Sequence, residues 1–356
     1  MSLRDIRQQE FAELWLNSKR FSIMYLAPRF GKIFTSINIL KQLNPHCTLL
    51  IAYPDNKIRH SWEEDFKKRN YTNPNVTFVT HLSLKKYVDK IFDIIILDEI
   101  HLLSEAQIDV CKKLFKENKT ILGLTGTMSQ ETKNTLWNEL KLPVLATYSI
   151  EQAIEEGVIA DYEISVIKVP LDRGLKLYKD KSEKQKFDSI SWVIDKFEEE
   201  EKDTFFLRLQ RMRIIQNSVA KLNKTKQLLQ IYKEERVLAF MGNIKMCEDL
   251  NISTYHSKSS EKEVFDNFVN GAGKSLAVCK IGNTGVTYKN LNYVIINYFS
   301  SNGEDMIQKL MRALSWEYNN PNKKAKIIII TSDETIESKW LAKAIFLLDQ
   351  SKIKYI

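Results

Sequence analysis

Short apolar runs recur along the chain, separated by stretches in which apolar positions return every third or fourth residue. In the first half, the runs Phe21–Leu26, Thr48–Ala52, Val76–Thr80, Ile94–Leu97 and Thr120–Leu124 predict strands. Phe34–Leu43, Lys57–Arg69 and Glu105–Glu117 between them carry helical spacing. Near-continuous apolar strands alternating with helices predict a parallel α/β sheet covered on both faces. From residue 161 the pattern changes. Glu163–Pro170 reads as a connecting strand, and Tyr178 to Lys233 is charged, mostly helical and free of Pro and Gly. A second α/β series follows, with strands expected at Val237–Met241, Ser253–His256, Ser275–Cys279, Tyr293–Tyr298 and Ala325–Thr331. Ser260–Asn270 and Asp305–Trp316 are expected as helices in this series. The expected organisation is a first lobe over 1–160, a connecting strand and helical insertion over 161–235, and a second lobe over 236–356.

Composition narrows this picture a little. A chain of 356 residues exceeds one typical core, in line with two lobes. The 44% hydrophobic and 28% charged content is that of an ordinary globular protein. The net charge of +8 favours an anionic partner. Cys47, Cys111, Cys247 and Cys279 are widely spaced, which argues for reduced thiols rather than a zinc site or a disulfide framework. No run is long and apolar enough to span a membrane, and no signal region opens the chain, so the expectation is a soluble, cytoplasmic protein with no membrane partner.

The chemistry is concentrated at strand ends. Ala27-Pro28-Arg29-Phe30-Gly31-Lys32-Ile33 joins a strand to a helix. A glycine-lysine turn there presents backbone N–H groups, an ammonium and the helix dipole to phosphates. Ile94–Leu97 runs into Asp98 and Glu99, adjacent carboxylates suited to a magnesium ion and to a base that polarises water.

In this order, these motifs resemble those of superfamily 2 helicases and translocases with two RecA-like parallel-sheet lobes, and the resemblance runs through nearly the whole chain. It implies ATP and Mg2+ as cofactors. Lys32 would neutralise phosphates, Asp98 would hold the metal, Glu99 would orient the attacking water, and His101 of the Asp98-Glu99-Ile100-His101 box would link the nucleotide to the neighbouring motif. That motif, Thr125-Gly126-Thr127, would couple hydrolysis to lobe movement. Near the N-terminus, Leu3-Arg4 followed by Gln8-Gln9-Glu10 resembles the segment whose glutamine reads adenine, here with one extra residue, and Gln8 is preferred to Gln9. Arg29, Phe30, Gly31 and Ile33 complete the first-lobe nucleotide loop.

In the second lobe, Tyr255-His256-Ser257-Lys258 resembles the region ahead of motif V. Gly282-Asn283-Thr284-Gly285-Val286-Thr287 resembles motif V, and Ile307 to Ser315 resembles motif VI. Gly285 and Gln308 are the nucleotide-binding candidates there, and Arg312 would reach the phosphates across a cleft. Nucleic-acid contacts are expected at Tyr53, Pro54, Thr80, His81 and Thr284, gripping phosphates without reading sequence. Arg208, Arg211 and Arg213 on the helical insertion are a candidate basic stripe or a solvated face.

Three departures stand out. The residue after Lys32 is Ile33, where the family has a magnesium-coordinating hydroxyl, and Thr35 and Ser36 face elsewhere on the helix. Motif VI carries Met311 for glycine and Ser315 for its last arginine, and Thr287 replaces the acidic residue of motif V. The expected function is an ATP-driven DNA helicase or translocase acting on single-stranded or branched DNA, possessing slow turnover, and similar to compact phage recombination helicases. The alternatives are a nucleotide-gated DNA clamp and an RNA helicase.

Overall fold

The computed structural model describes residues 2–259, 262–279, 288–298, 309–314, 323–346 and 348–356. The chain divides into two compact units, Met1–Ile159 and Ala160–Ile356. In the first, helices α1 (Leu3–Leu16), α2 (Lys32–Leu40), α3 (Asn56–Lys68), α4 (Glu105–Glu117), α5 (Gln130–Leu140) and α6 (Ile150–Glu155) accompany six strands. These are β1 (Phe21–Leu26), β2 (Leu49–Tyr53), β3 (Val76–Thr80), β4 (Ile94–Asp98), β5 (Ile121–Thr125) and β6 (Val144–Tyr148). They form one parallel sheet in the order β3-β2-β4-β5-β1-β6. Every residue of β2, β4 and β5 is buried, as helices on both faces require. Because β4, β5 and β1 are neighbours, the loops leaving their C-terminal ends meet, and open α/β sheets place their sites at such ends.

The second unit holds a parallel sheet in the order β13-β7-β12-β11-β8-β10-β9. Its strands are β7 (Asp161–Val169), β8 (Val237–Met241), β9 (Ser253–His256), β10 (Ser275–Cys279), β11 (Tyr293–Ile296), β12 (Lys324–Ser332) and β13 (Ile353–Tyr355). Helices α7 (Glu183–Glu199), α8 (Phe205–Gln216), α9 (Val219–Ile231), α10 (Ile244–Glu248) and α11 (Lys262–Val269) belong to it as well.

The segment 161–235, expected as a connector, is thus built into the second unit. β7 is a full sheet strand that pairs with β12 from Asp161 beside Lys324 to Val169 beside Ser332. Phe187, Ile190 and Ile194 of α7 pack on Ile214 and Ile215 of α8 around Leu171, and burial of that apolar face is what fixes the helices. The α9 residues Leu228 and Leu229 pack on Val237, Ala239, Ile328 and Ile330 of the sheet. A buried ion pair, Lys221 Nζ to Glu337 Oε1 at 2.7 Å, ties α9 to the helix Glu337–Ile345. Glu337 Oε2 also accepts the Ser332 N–H at 2.7 Å.

Candidate active site

The turn between β1 and α2 is set by backbone geometry. Arg29 has φ 68° and Gly31 has φ 103°, so the chain bends through the left-handed region, where glycine is at ease. A Cβ on Gly31 would lie 2.4 Å from Gln8 Nε2. That amide is buried against the turn, donating to the Phe30 carbonyl at 2.7 Å. Gln9 instead bonds Glu13 along the helix surface at 2.8 Å. Phe30 is a buried anchor, its ring against Phe11 and Tyr148.

α1, α5 and α6 each open on a serine, Ser2, Ser129 and Ser149, whose hydroxyl accepts a first-turn N–H. α2 opens on Gly31 with no side-chain cap. Its first-turn donors and the positive end of the helix dipole are left for an anion. Lys32 is the first residue of that helix. Ile33 is partly exposed, while the Thr35 hydroxyl bonds back to the Gly31 carbonyl at 3.4 Å and that of Ser36 to the Lys32 carbonyl at 3.0 Å. Neither hydroxyl therefore stands in for the one missing at position 33.

Asp98 closes β4, and Glu99 follows in a left-handed conformation, φ 50° and ψ 49°. That turn lets the Glu99 N–H donate to Asp98 Oδ1 at 3.0 Å. Lys32 Nζ meets Glu99 Oε1 at 2.5 Å. Burial works against ionisation of Glu99, but the Lys32 ammonium and the Gly126 N–H outweigh it and hold the carboxyl below its ordinary range. Asp98 moves the other way, to about 6: burial and the neighbouring Glu99 charge raise it more than Lys32 and the Trp62 N–H lower it. Adjacent carboxylates are thereby driven apart in basicity, a pattern common at catalytic sites.

His101 is buried and bridges two strand ends. Its Nδ1 lies 2.8 Å from Thr125 Oγ1 and its Nε2 lies 3.4 Å from Thr127 Oγ1. Burial pushes its pKa down to about 4, so the ring is neutral near pH 7. A Cβ on Gly126 would sit 3.2 Å from Lys32 Nζ; a side chain there would press on the ammonium. The structure thus brings Gln8, Phe30, Gly31, Lys32, Asp98, Glu99, His101, Thr125, Gly126 and Thr127 into one cluster.

Two expected nucleic-acid contacts do not fit. Tyr53 is 1% exposed and packs beside Phe78, and His81 is 3% exposed. The turn His81–Tyr87 directs the imidazole inward toward the main chain of Asp98 and Ala52, and burial lowers its pKa to about 4. Buried and uncharged, the ring brings no positive charge to a phosphate at the surface. Pro54 and Thr80 are partly exposed, the latter bonded to the Ser83 hydroxyl at 3.1 Å. Thr284, Gly285, Thr287, Gln308 and Ser315 lie outside the described residues, as does the Arg312 side chain; the Arg312 backbone is in the turn Met311–Leu314.

Two residues escape a reading of the sequence alone. The Trp62 indole donates to Asp98 Oδ2 at 2.9 Å. Arg69 stacks on Phe34, 4.1 Å from the ring centre, and bonds Asp5 at 3.2 Å, bracing α1 against α2.

As to metal, no cluster of three or more His, Cys, Asp or Glu side chains that could cage an ion occurs among the described residues. One hard carboxylate beside an ammonium and an uncapped helix end suits Mg2+ carried in mainly by phosphates and water, as that ion prefers. No helix among the described residues is long and apolar enough to cross a membrane.

Residues 12–130 match the family described as type III restriction enzyme, res subunit. Residues 220–317 match the helicase conserved C-terminal domain. The DNA 3'-5' translocase XPB2 of Sulfurisphaera tokodaii is 23% identical over 374 aligned residues, covering 95% of this chain and 83% of that protein. Among solved structures, S. cerevisiae Dbp5 bound to RNA and ADP BeF3 superposes with TM-score 0.62 at 12% identity, covering 100% of this chain and 94% of that one. The helicase domain of Pyrococcus furiosus Hef gives TM-score 0.52 at 13% identity, with 96% and 99% covered. These two likenesses establish the fold: two parallel-sheet α/β lobes, consistent with tandem RecA-like helicase domains. A family match in each unit and a relative aligned along most of the chain support a superfamily 2 helicase or translocase.

Proposed function

We propose that the protein is an ATP-dependent DNA helicase or translocase that remodels branched or duplex DNA in recombination, repair or replication. The observation that supports this most directly is the convergence of Lys32, Asp98 and Glu99 beside the uncapped start of α2. The uncapped N–H groups and Lys32 would receive the phosphates. Asp98 would hold magnesium, which when bound offsets phosphate charge and helps the leaving group depart. Glu99, kept ionised, is the group to orient water and accept its proton. Phosphates drawing Lys32 away would free the Glu99 carboxylate for that task. His101 would report the change to Thr125 and Thr127 through its two ring nitrogens.

DNA rather than RNA is favoured because the relative aligned over most of the chain bears the name of a DNA translocase. A second reading, a nucleotide-gated DNA clamp with negligible turnover, draws on Ile33 and the back-bonded hydroxyls of Thr35 and Ser36.

The test is ATP hydrolysis by the purified protein with single-stranded DNA, forked DNA and sequence-matched RNA, beside Lys32→Ala and Glu99→Gln. Turnover stimulated by DNA and abolished by both substitutions supports the motor. DNA binding without Lys32-dependent turnover overturns it in favour of the clamp. Stimulation by RNA alone moves the substrate class.

A further inference from the structure

Trp62 lies within α3, fully buried. Its ring is held edge-on by Phe66, with centroids 5.8 Å apart and planes at 87°. An indole N–H can only donate, and here it donates to Asp98 Oδ2 at 2.9 Å. The other oxygen, Oδ1, accepts the Glu99 N–H at 3.0 Å. One oxygen is therefore fixed by the residue's own turn and the other by a separate helix, and together they lock the rotation of the carboxylate. Each oxygen keeps a second lone pair for an ion or a water.

We infer that Trp62 is a positioning residue that orients the Asp98 carboxylate toward the magnesium of a bound nucleotide. The inference rests on the reading of Asp98 as the metal-holding group. Its physical content is that a carboxylate free to rotate meets the ion in fewer productive orientations, while one also stripped of a buried donor is less well stabilised as an anion. Phenylalanine keeps most of the packing and removes only the donor.

The experiment is calorimetric binding of ADP with and without Mg2+, on wild type, Trp62→Phe, Trp62→His, Asp98→Asn and Trp62→Phe/Asp98→Asn, with melting curves for each. For Trp62→Phe, metal-free affinity should hold within about twofold while the Mg2+-dependent gain falls about tenfold, the scale of one hydrogen bond to a charged group. The imidazole of Trp62→His superposes on the pyrrole half of indole and restores a donor at the same place, so it should recover most of the gain. In the Asp98→Asn background, Trp62→Phe should change nothing further. A Trp62→Phe protein that melts lower yet keeps the full Mg2+ gain, or a Trp62→His protein that recovers none, overturns the inference. Absence of any Mg2+ gain in the wild type overturns the assignment of Asp98 itself, and this inference with it.

Discussion

Lys32 Nζ and Glu99 Oε1 lie 2.5 Å apart, joining the first residue of a helix to the residue just past a strand. Each is the other's principal countercharge in a partly enclosed site. Lys32→Ala and Glu99→Gln should each lower ATP turnover by about 10²-fold or more, and the double variant should fall little below the worse single one, because groups acting as a unit are not additive. Steady-state hydrolysis on the three variants measures this.

Gly31→Ala should both destabilise the protein and weaken nucleotide binding. It places a side chain at φ 103° and a Cβ 2.4 Å from Gln8 Nε2. The backbone strain alone is of the order of 1–3 kcal/mol. Gln8→Ala in the same chain should relieve the clash and leave the strain, giving partial recovery in thermal melts.

Ile33→Thr restores a hydroxyl at a partly exposed position, whereas Thr35 and Ser36 keep theirs on the helix backbone. Turnover should rise several-fold and the Mg2+ concentration for half-maximal rate should fall. In a Lys32→Ala background no gain should appear. Mg2+ titrations of hydrolysis give both answers.

His81 and His101 each fall from the ordinary 6.5 to about 4 in the folded protein, burial being the main cause. A base whose pKa is lowered by folding binds protons more readily when unfolded. The contribution is therefore complete above pH 6.5, declines as pH falls, and is gone below about 4. The size is roughly 3 kcal/mol for each ring, from about 1.4 kcal/mol per unit. Urea denaturation at pH 7.5 and pH 5 should show the loss, and His81→Phe should flatten the slope.

Glu337→Leu strips the buried Lys221 ammonium of its carboxylate, and Ser332 of an N–H acceptor. A cost of about 3–5 kcal/mol is expected. Lys221→Met/Glu337→Leu should cost much less, since neither charge is left buried, although the Ser332 N–H still lacks its acceptor. Chemical denaturation of the three proteins gives the comparison.

How far the sequence discloses this molecule depends on where the governing contact lies. β1, β8 and β10 sit where apolar runs place them, because a strand buried on both faces needs a local apolar run; β3 and β9 also fall where expected, although as edge strands they are only partly buried. β6 and β13 give little such signal: β6 is partly exposed at the sheet edge, and β13 is a three-residue strand with two exposed positions. The carboxylates and the lysine announce themselves at strand ends. Trp62 does not, for in its helix it reads as one more apolar position, and its bond to Asp98 spans 36 residues of chain. His81 misleads for a related reason. A threonine-histidine pair after a strand suggests an exposed contact, but the turn that follows buries the ring against the main chain of Ala52 and Asp98.

The pairing of β7 with β12 sets an order on synthesis. Every strand of the first sheet has emerged by Tyr148, so that unit can close on itself while the rest of the chain is still being made. Asp161, by contrast, must wait for Lys324. Until then β7 presents long unpaired edges, the kind that recruit foreign strands. Ribosome-bound chains halted before residue 324 should therefore carry a finished first unit and an exposed, chaperone-seeking second one.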